Sequence, residues 1–232
     1  MFYFDPVYFL FILPPLLLGF FAQWRVKSTF ASMSEVPARM SGGQAARQML
    51  DSAGLGQVDI EQVAGHLSDH YDPRAKVLRL SPEVYGGRSM AALGVACHEA
   101  GHAFQDAKHY APLKIRNLAV PAANFGSNIG VFLATIGLMF SYRAPAVGNT
   151  LLLAGIVLFS AVVFFQVVNL PVEFDASARA RRHLVDANLI SPNEEQFVAK
   201  VLNAAALTYV AGTLQAVMTL AYFIFRFMGD RR

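Results

Sequence analysis

The chain has 232 residues, 55% of them hydrophobic and only 15% charged. A soluble domain carries about 25% charged residues. The apolar excess lies in blocks, which excludes an ordinary soluble globule and indicates a membrane protein. The net charge of +3 comes from basic residues scattered around those blocks rather than gathered in a stripe, so nucleic acid is not an expected partner. The single cysteine, Cys97, cannot form an internal disulfide, and no oxidising compartment is required.

The first apolar block runs from about Val7 to Ala22 and is dense in Phe and Leu. Asp5 precedes it, while Arg25 and Lys27 follow it. A signal peptide would carry its positive charge at the start. The block therefore reads as a retained anchor with its N-terminus outside, and Pro14 and Pro15 are expected to kink it.

A stretch of ordinary soluble composition follows. Ser41 is placed to cap a helix over Gly42–Ala53, with Gly54 at its end. Val58 to Leu80 shows short β-like runs, of which Lys76 to Leu80 alternates and is either an edge for holding an added peptide strand or a buried strand in a small sheet. Ser89 caps a second helix that ends near Ala107. That helix carries the pentapeptide His98-Glu99-Ala100-Gly101-His102. At this spacing both imidazoles lie one turn apart on one face and can grip a single metal ion. Glu99 beside them can act as general base toward an activated water.

The second and third apolar blocks, about Leu118 to Phe140 and Thr150 to Val168, are joined by Ser141 to Asn149 and form a hairpin of two spans. The polar stretch Pro171 to Asn203 reads as helical, and a fourth apolar block runs from about Ala205 to Phe227. Each block approaches the roughly 20 residues that cross the hydrocarbon core. Arg226, near the end of the fourth, is expected to snorkel to the interface. The resulting division is an anchor over 1–24, a domain over 25–117, a transmembrane hairpin over 118–170, a polar helical segment over 171–204, and a last span with its tail over 205–232.

Orientation follows from Lys and Arg near the spans. Arg25, Lys27, Lys114, Arg116, Arg179, Arg181 and Arg182 fall on one side, against Arg143 in the hairpin loop. This places the His-Glu helix on the cytoplasmic side of a cell (inner) membrane. Four full crossings would leave Arg231 and Arg232 outside, which conflicts with the same rule.

A catalytic zinc takes three protein ligands and keeps one open position. After His102 the chain continues Ala103-Phe104-Gln105-Asp106-Ala107-Lys108-His109, which lacks the Gly and His of a metzincin. The alternative is a distant glutamate on a second helix. Glu173 is the best candidate, because two spans separate it from His102 and return the chain to the side it left. Glu194 and Glu195 lie on the same side but read as first-turn carboxylates after Ser191 and Pro192.

These residues resemble the membrane-bound neutral zinc metallopeptidases of the YugP type found in bacteria, which are similar to the HtpX-like membrane gluzincins. The resemblance spans most of the chain. It rests on Asp69-His70-Tyr71-Asp72-Pro73, Leu80-Ser81-Pro82, His98 to Gln105, and Glu173-Phe174-Asp175-Ala176-Ser177. It implies an α-helical multi-pass membrane protein of about four transmembrane helices with a zincin-like α+β metalloprotease domain around the H-E-x-x-H helix. It also implies one zinc ion on His98, His102 and Glu173, with Glu99 as catalytic acid/base. Ser177 stands where HtpX-like proteins have an aspartate, and Asp175 is a candidate to support a zinc histidine instead. His70 is a candidate to line the site, although Asp69 to Pro73 by itself reads as a turn. His183, Arg179 and Arg182 are candidate oxyanion donors, with charges at the lipid-headgroup boundary as the simpler account.

The expected activity is hydrolysis of peptide bonds in peptides, proteins or membrane proteins beside the bilayer. The rival readings are a membrane scaffold or adaptor with a structural metal site, and a transporter using Asn124, Asn128, Gln166 and Asn169. A closed structural site has no need of Glu99. The spans show no repeat and no buried charge of the kind a transporter uses.

Overall fold

A computed structural model describes residues 5–66 and 68–229. The protein is mostly helical and divides into two units. One comprises the chain up to Phe21, Lys114–Leu170 and the chain from Thr208; the other comprises Ala22–Leu113 and Pro171–Leu207.

The first unit is built from four long apolar helices: α1 (Pro6–Ser34), the run Ala111–Phe140, α7 (Pro145–Asp186) and α8 (Glu195–Gly229). All four are long and apolar enough to cross a membrane. Their outer faces carry bare apolar side chains such as Leu10, Leu118, Phe132 and Val157; Leu118 is 82% exposed, as suits a surface solvated by lipid. Pro14 and Pro15 sit inside α1, which stays helical throughout.

The second crossing begins at Ala111 and has three parts: α5 (Ala111–Phe125), a π-helical turn (Gly126–Gly130) and α6 (Val131–Phe140). The hairpin with α7 is glued backbone to backbone. A Cβ on Gly126 would meet the Leu158 carbonyl, one on Gly130 would lie 2.9 Å from the Phe159 nitrogen, and one on Gly155 would meet the Ala134 nitrogen. Gly126 and Gly130 are a small-xxx-small pair, the spacing that lets helices approach closely where lipid removes any hydrophobic drive to associate.

Polar groups close one end of this unit. Tyr222 donates to Asp5 Oδ2 at 2.8 Å, Arg226 Nη1 lies 3.5 Å from the same oxygen, and Arg226 Nη2 donates to the Tyr142 hydroxyl at 2.6 Å. Asp5 precedes α1, Tyr142 lies between α6 and α7, and Arg226 is near the end of α8. The end of α8 therefore reaches the level of the hairpin loop, and the fourth helix traverses the same layer as the others. The charge conflict raised by the tail eases at Arg226, which is paired with an acid; Arg231 and Arg232 lie outside the described residues.

In the second unit, α2 (Gly42–Ser52) begins with a reciprocal cap: Gln44 N donates to Ser41 Oγ, and Ser41 N donates to Gln44 Oε1. Strands β1 (Asp59–Gln62), β2 (His70–Asp72) and β3 (Val77–Leu80) form a sheet of order β1-β3-β2. A short α3 (Pro82–Gly86) leads to α4 (Met90–Ala107), whose first turn is capped by Ser89, its Oγ accepting from Ala92 N. The core joins Met49 and Leu50 of α2, Leu78 and Leu80 of β3, Leu93, Ala96, Cys97 and Phe104 of α4, and Val198 and Leu202 of α8.

One open alternative is settled here and one expectation is corrected. The run around Lys76–Leu80 is no edge: β3 pairs with β1 in parallel and with β2 antiparallel, so both its sides are spent. Its Val77, Leu78 and Leu80 are all buried, the pattern of a central strand. The polar segment after the third span is also no separate helix. It is the end of α7, which passes through Pro171 and runs 42 residues, then a break and the first turns of α8. Pro171 forfeits one hydrogen bond, but Val172, Ala176, Ala180 and Leu184 follow at four-residue spacing, all fully buried, and this stripe holds the helix in register.

Replacing Gly155 by Leu drives a side chain into the Ala134 backbone, whereas Gly19→Leu enters open space. Overpacking costs about 1–3 kcal/mol or more. The expected result, read by thermal unfolding in detergent, is a clear loss of stability for Gly155→Leu and none for Gly19→Leu.

Candidate metal centre

The Ala-rich sequence of α4 suits a helix. It turns Leu93, Ala96, Cys97, Ala100 and Phe104 into the core and leaves His98 and His102 on an adjoining face. Cys97 is a buried packing residue whose thiol is pushed up by burial.

Glu173, on α7, is brought to both imidazoles. Its Oε2 lies 3.2 Å from His98 Nε2 and 3.6 Å from His102 Nε2. One ligand atom from each of the three residues falls within 4.8 Å of the others, a set that could hold a metal ion. Four ligands at about 2.1 Å from a tetrahedral zinc are separated by about 3.4 Å. The two oxygen–nitrogen separations straddle that value, and two imidazole nitrogens with one carboxylate oxygen are a donor set zinc accepts. Burial pushes the Glu173 carboxyl up, but hydrogen bonds and charge from His102 and His98 outweigh it and hold it well below the usual carboxylate range. A carboxylate left almost without solvent needs this positive surrounding.

The reach of Glu173 depends on Gly101. A Cβ there would lie 2.5 Å from the Ala176 carbonyl oxygen and 3.3 Å from its Cα, so α4 and α7 touch backbone to backbone between the two histidines. No larger residue permits that approach.

Each imidazole is tied by its other nitrogen. His98 Nδ1 lies 3.1 Å from Ser177 Oγ, and His102 Nδ1 lies 3.0 Å from Gln105 Oε1. Gln105 is fully buried, and its amide nitrogen donates to the Val172 carbonyl at 2.7 Å and to Asp175 Oδ2 at 2.9 Å. Burial raises the Asp175 carboxyl, but Arg179 at 2.5 Å and Gln105 hold it below its ordinary value. Asp175 thus meets the histidines through Gln105, and Ser177 itself contacts His98.

Glu99 projects toward the sheet. Its Oε2 accepts from Tyr71 N of β2 at 3.1 Å. Loss of surrounding water lifts its carboxyl to about 7, a rise opposed by the charge of His98 and reinforced by Glu173 and Asp69. Tyr71 also donates its hydroxyl to Asp106 at 2.7 Å, so β2 is pinned to α4 at two points two turns apart. Asp69 accepts from Ser81 N at 2.7 Å and fixes the turn ahead of β2.

The other candidates lie apart. His70 is exposed on β2, with Nδ1 2.9 Å from the Ser68 carbonyl. Arg179 is engaged by Asp175 and lies over the Tyr110 ring. His183 packs on Phe104, with ring centroids 4.4 Å apart, and burial together with the charge of Lys108 lowers its imidazole. His183 and Arg179 line a cavity of about 120 Å³ with Lys108, Arg182 and Asp186, which none of the three metal-ligating candidates lines. Glu194 forms a reciprocal cap with Ser191, and Glu195 pairs with Arg181. Sequence reasoning missed Gly101, Tyr71 and Gln105. Gln105 had a signal, since three residues after His102 places it on the same helix face.

The chain is 45% identical over 216 residues, 92% of its own length and 93% of the relative's, to the "Putative membrane protease YugP" of Bacillus subtilis (strain 168). No solved structure matches it significantly. A family model described as "Putative neutral zinc metallopeptidase" matches residues 8–228, and the chain belongs to that family.

Proposed function

We propose that this protein is a membrane-embedded zinc endopeptidase of the gluzincin type, with His98, His102 and Glu173 as ligands and Glu99 as general base. The observation that carries the reading is the convergence of Glu173 Oε2 on the outward nitrogens of two histidines one helical turn apart. The α+β unit is zincin-like in this reading, its sheet lying along α4 through Tyr71 and Glu99. In this reading that unit is cytoplasmic, supported by the excess of Arg and Lys around Arg25, Lys114 and Arg181 over the lone Arg143 of the hairpin loop.

Zinc, when bound by these three side chains, supplies Lewis acidity and makes water a nucleophile at neutral pH. Glu99 takes the proton of the attacking water and returns it to the leaving amine. The Tyr71 N–H holds one oxygen of that carboxylate in place and leaves the other for the water. A peptide substrate lies along β2, because β3 has no open edge and β2 is the strand that touches Glu99. The substrates are peptides or protein segments that reach a site carried by a membrane protein.

Glu99→Gln keeps the ligands and removes the base. Purified in detergent, this variant is expected to retain about one zinc per chain and to lose hydrolysis of an unfolded protein by at least the 10²- to 10⁴-fold typical of a lost general base. Chelation of the wild type should abolish the same cleavage, and zinc should restore it. Cleavage by Glu99→Gln at the wild-type rate would refute the assignment.

Gly101→Val must push α4 from α7 while every ligand remains in the sequence. Its expected outcome is loss of bound zinc, measured by metal analysis, to the same degree as in Glu173→Ala. Full zinc retention would show that the close approach is dispensable.

A further inference from the structure

We propose that Gln105 is the positioning residue of the centre: its fully buried amide oxygen accepts the Nδ1 proton of His102 and leaves Nε2, the nitrogen nearer Glu173, as the ligand atom. The proposal rests on the metal reading above for its function but can be tested without metal.

A glutamine beside a histidine is ambiguous in isolation, since its amide can offer either an oxygen or an NH₂ group. Here the ambiguity is removed by two acceptors. The Val172 carbonyl at 2.7 Å can only accept, and the Asp175 carboxylate at 2.9 Å, held by Arg179, also accepts. Both require the NH₂ group of Gln105, and one amide nitrogen has two hydrogens to give. Its oxygen is therefore forced toward His102 Nδ1, 3.0 Å away. An oxygen cannot donate, so the proton belongs to Nδ1 of His102. The opposite nitrogen, Nε2, is the one left for a metal, and it lies 3.6 Å from Glu173 Oε2.

The choice of an amide has a consequence for charge. A carboxylate on Nδ1 would place a second anion next to the ligands. The neutral relay keeps Asp175 one residue removed, where Arg179 offsets it. Two neutral imidazoles and one carboxylate leave a bound dication with a net positive charge, the condition under which it polarises a carbonyl. His98 is tied by a hydroxyl at Ser177, also neutral. Neither histidine touches an acid through Nδ1, while Gln105 and Asp175 draw on both helices and lock the ring plane. Partners of this kind are worth about 10- to 100-fold in metal affinity.

The test uses full-length protein in detergent with ¹⁵N-labelled histidine, metal-free, and reads which ring nitrogen of His102 carries a proton. The ring shifts of His102 are assigned by their disappearance in His102→Gln. Wild type should show the Nδ1–H tautomer; Gln105→Leu should show a mixture. In a parallel chelator competition, Gln105→Leu should bind zinc about 10- to 100-fold more weakly. Leu50→Ala, a buried change on α2 outside the relay, should lower the unfolding temperature and leave both readouts where they were. Gln105→Leu with an unchanged tautomer, or with zinc affinity within twofold of wild type, overturns the proposal. If Gln105→Leu does not fold, the near-isosteric Gln105→Met is measured instead. It likewise removes the amide oxygen and should mix the tautomers; an unmixed Nδ1–H signal there overturns the proposal equally. A wild type that shows the Nδ1–H tautomer yet holds no zinc refutes the metal reading and leaves the relay standing.

Discussion

The contact between Gly101 of α4 and Ala176 of α7 governs the geometry of the site. Two helices in ordinary packing keep their axes 8–10 Å apart, with side chains between them. Here a missing Cβ lets one backbone rest on the other. Only across so short a gap can a glutamate on one helix reach two imidazoles on its neighbour with a single oxygen. The buried stripe Val172, Ala176, Ala180 and Leu184 supplies the other half of this fit, since its central members are alanines that add little bulk. The same device recurs in the apolar unit, where Gly126, Gly130 and Gly155 seat α5, α6 and α7 together. In both places close packing is obtained by removing side chains.

That proximity has an electrostatic price which the surroundings meet. Glu173 is nearly inaccessible to water and is held ionised by two imidazoles. A buried anion in such a setting is stable only where hydrogen bonds and opposite charge surround it. Ser177, Gln105, Asp175 and Arg179 then form an outer ring that is itself satisfied, ending in an ion pair nearer the surface. All of these groups sit on α4 and α7 rather than on loops, which gives a tighter constellation. Glu99 differs, because its partner is a strand: the Tyr71 N–H fixes one oxygen and leaves the other unengaged among the described residues.

Much of this was legible before any coordinates. The pentapeptide announces paired histidines because the helical period alone puts residues four apart on one face. Glu173 emerged from counting spans, an argument that depends on the bilayer and not on packing. What stayed hidden depends on neighbours distant in sequence. Alternation around Lys76–Leu80 says strand but not which strands flank it, so an edge and a buried strand stay equally open until β1 and β2 are seen on either side. Pro171 looked like a boundary because its local cost is visible in sequence, whereas the buried stripe that outweighs it is recognised only once α4 lies against it. Gly101 occupies a position the motif leaves free, and its necessity comes from Ala176, 75 residues on.

The surroundings of the two histidines also explain why a serine can stand at 177. An aspartate there would touch His98 Nδ1 directly and add a second anion within a shell that already holds Glu173. In this chain the acidic residue is Asp175, two positions earlier on α7, and a different face of the helix carries it. From that face it cannot meet His98 in place of Ser177, and it acts on His102 through the Gln105 amide. The carboxylate at 175, the glutamine three residues after His102 and the serine at 177 are therefore a single arrangement: without Gln105 the Asp175–Arg179 pair loses its link to His102, and an acid at 177 would set a second anion against the ligands.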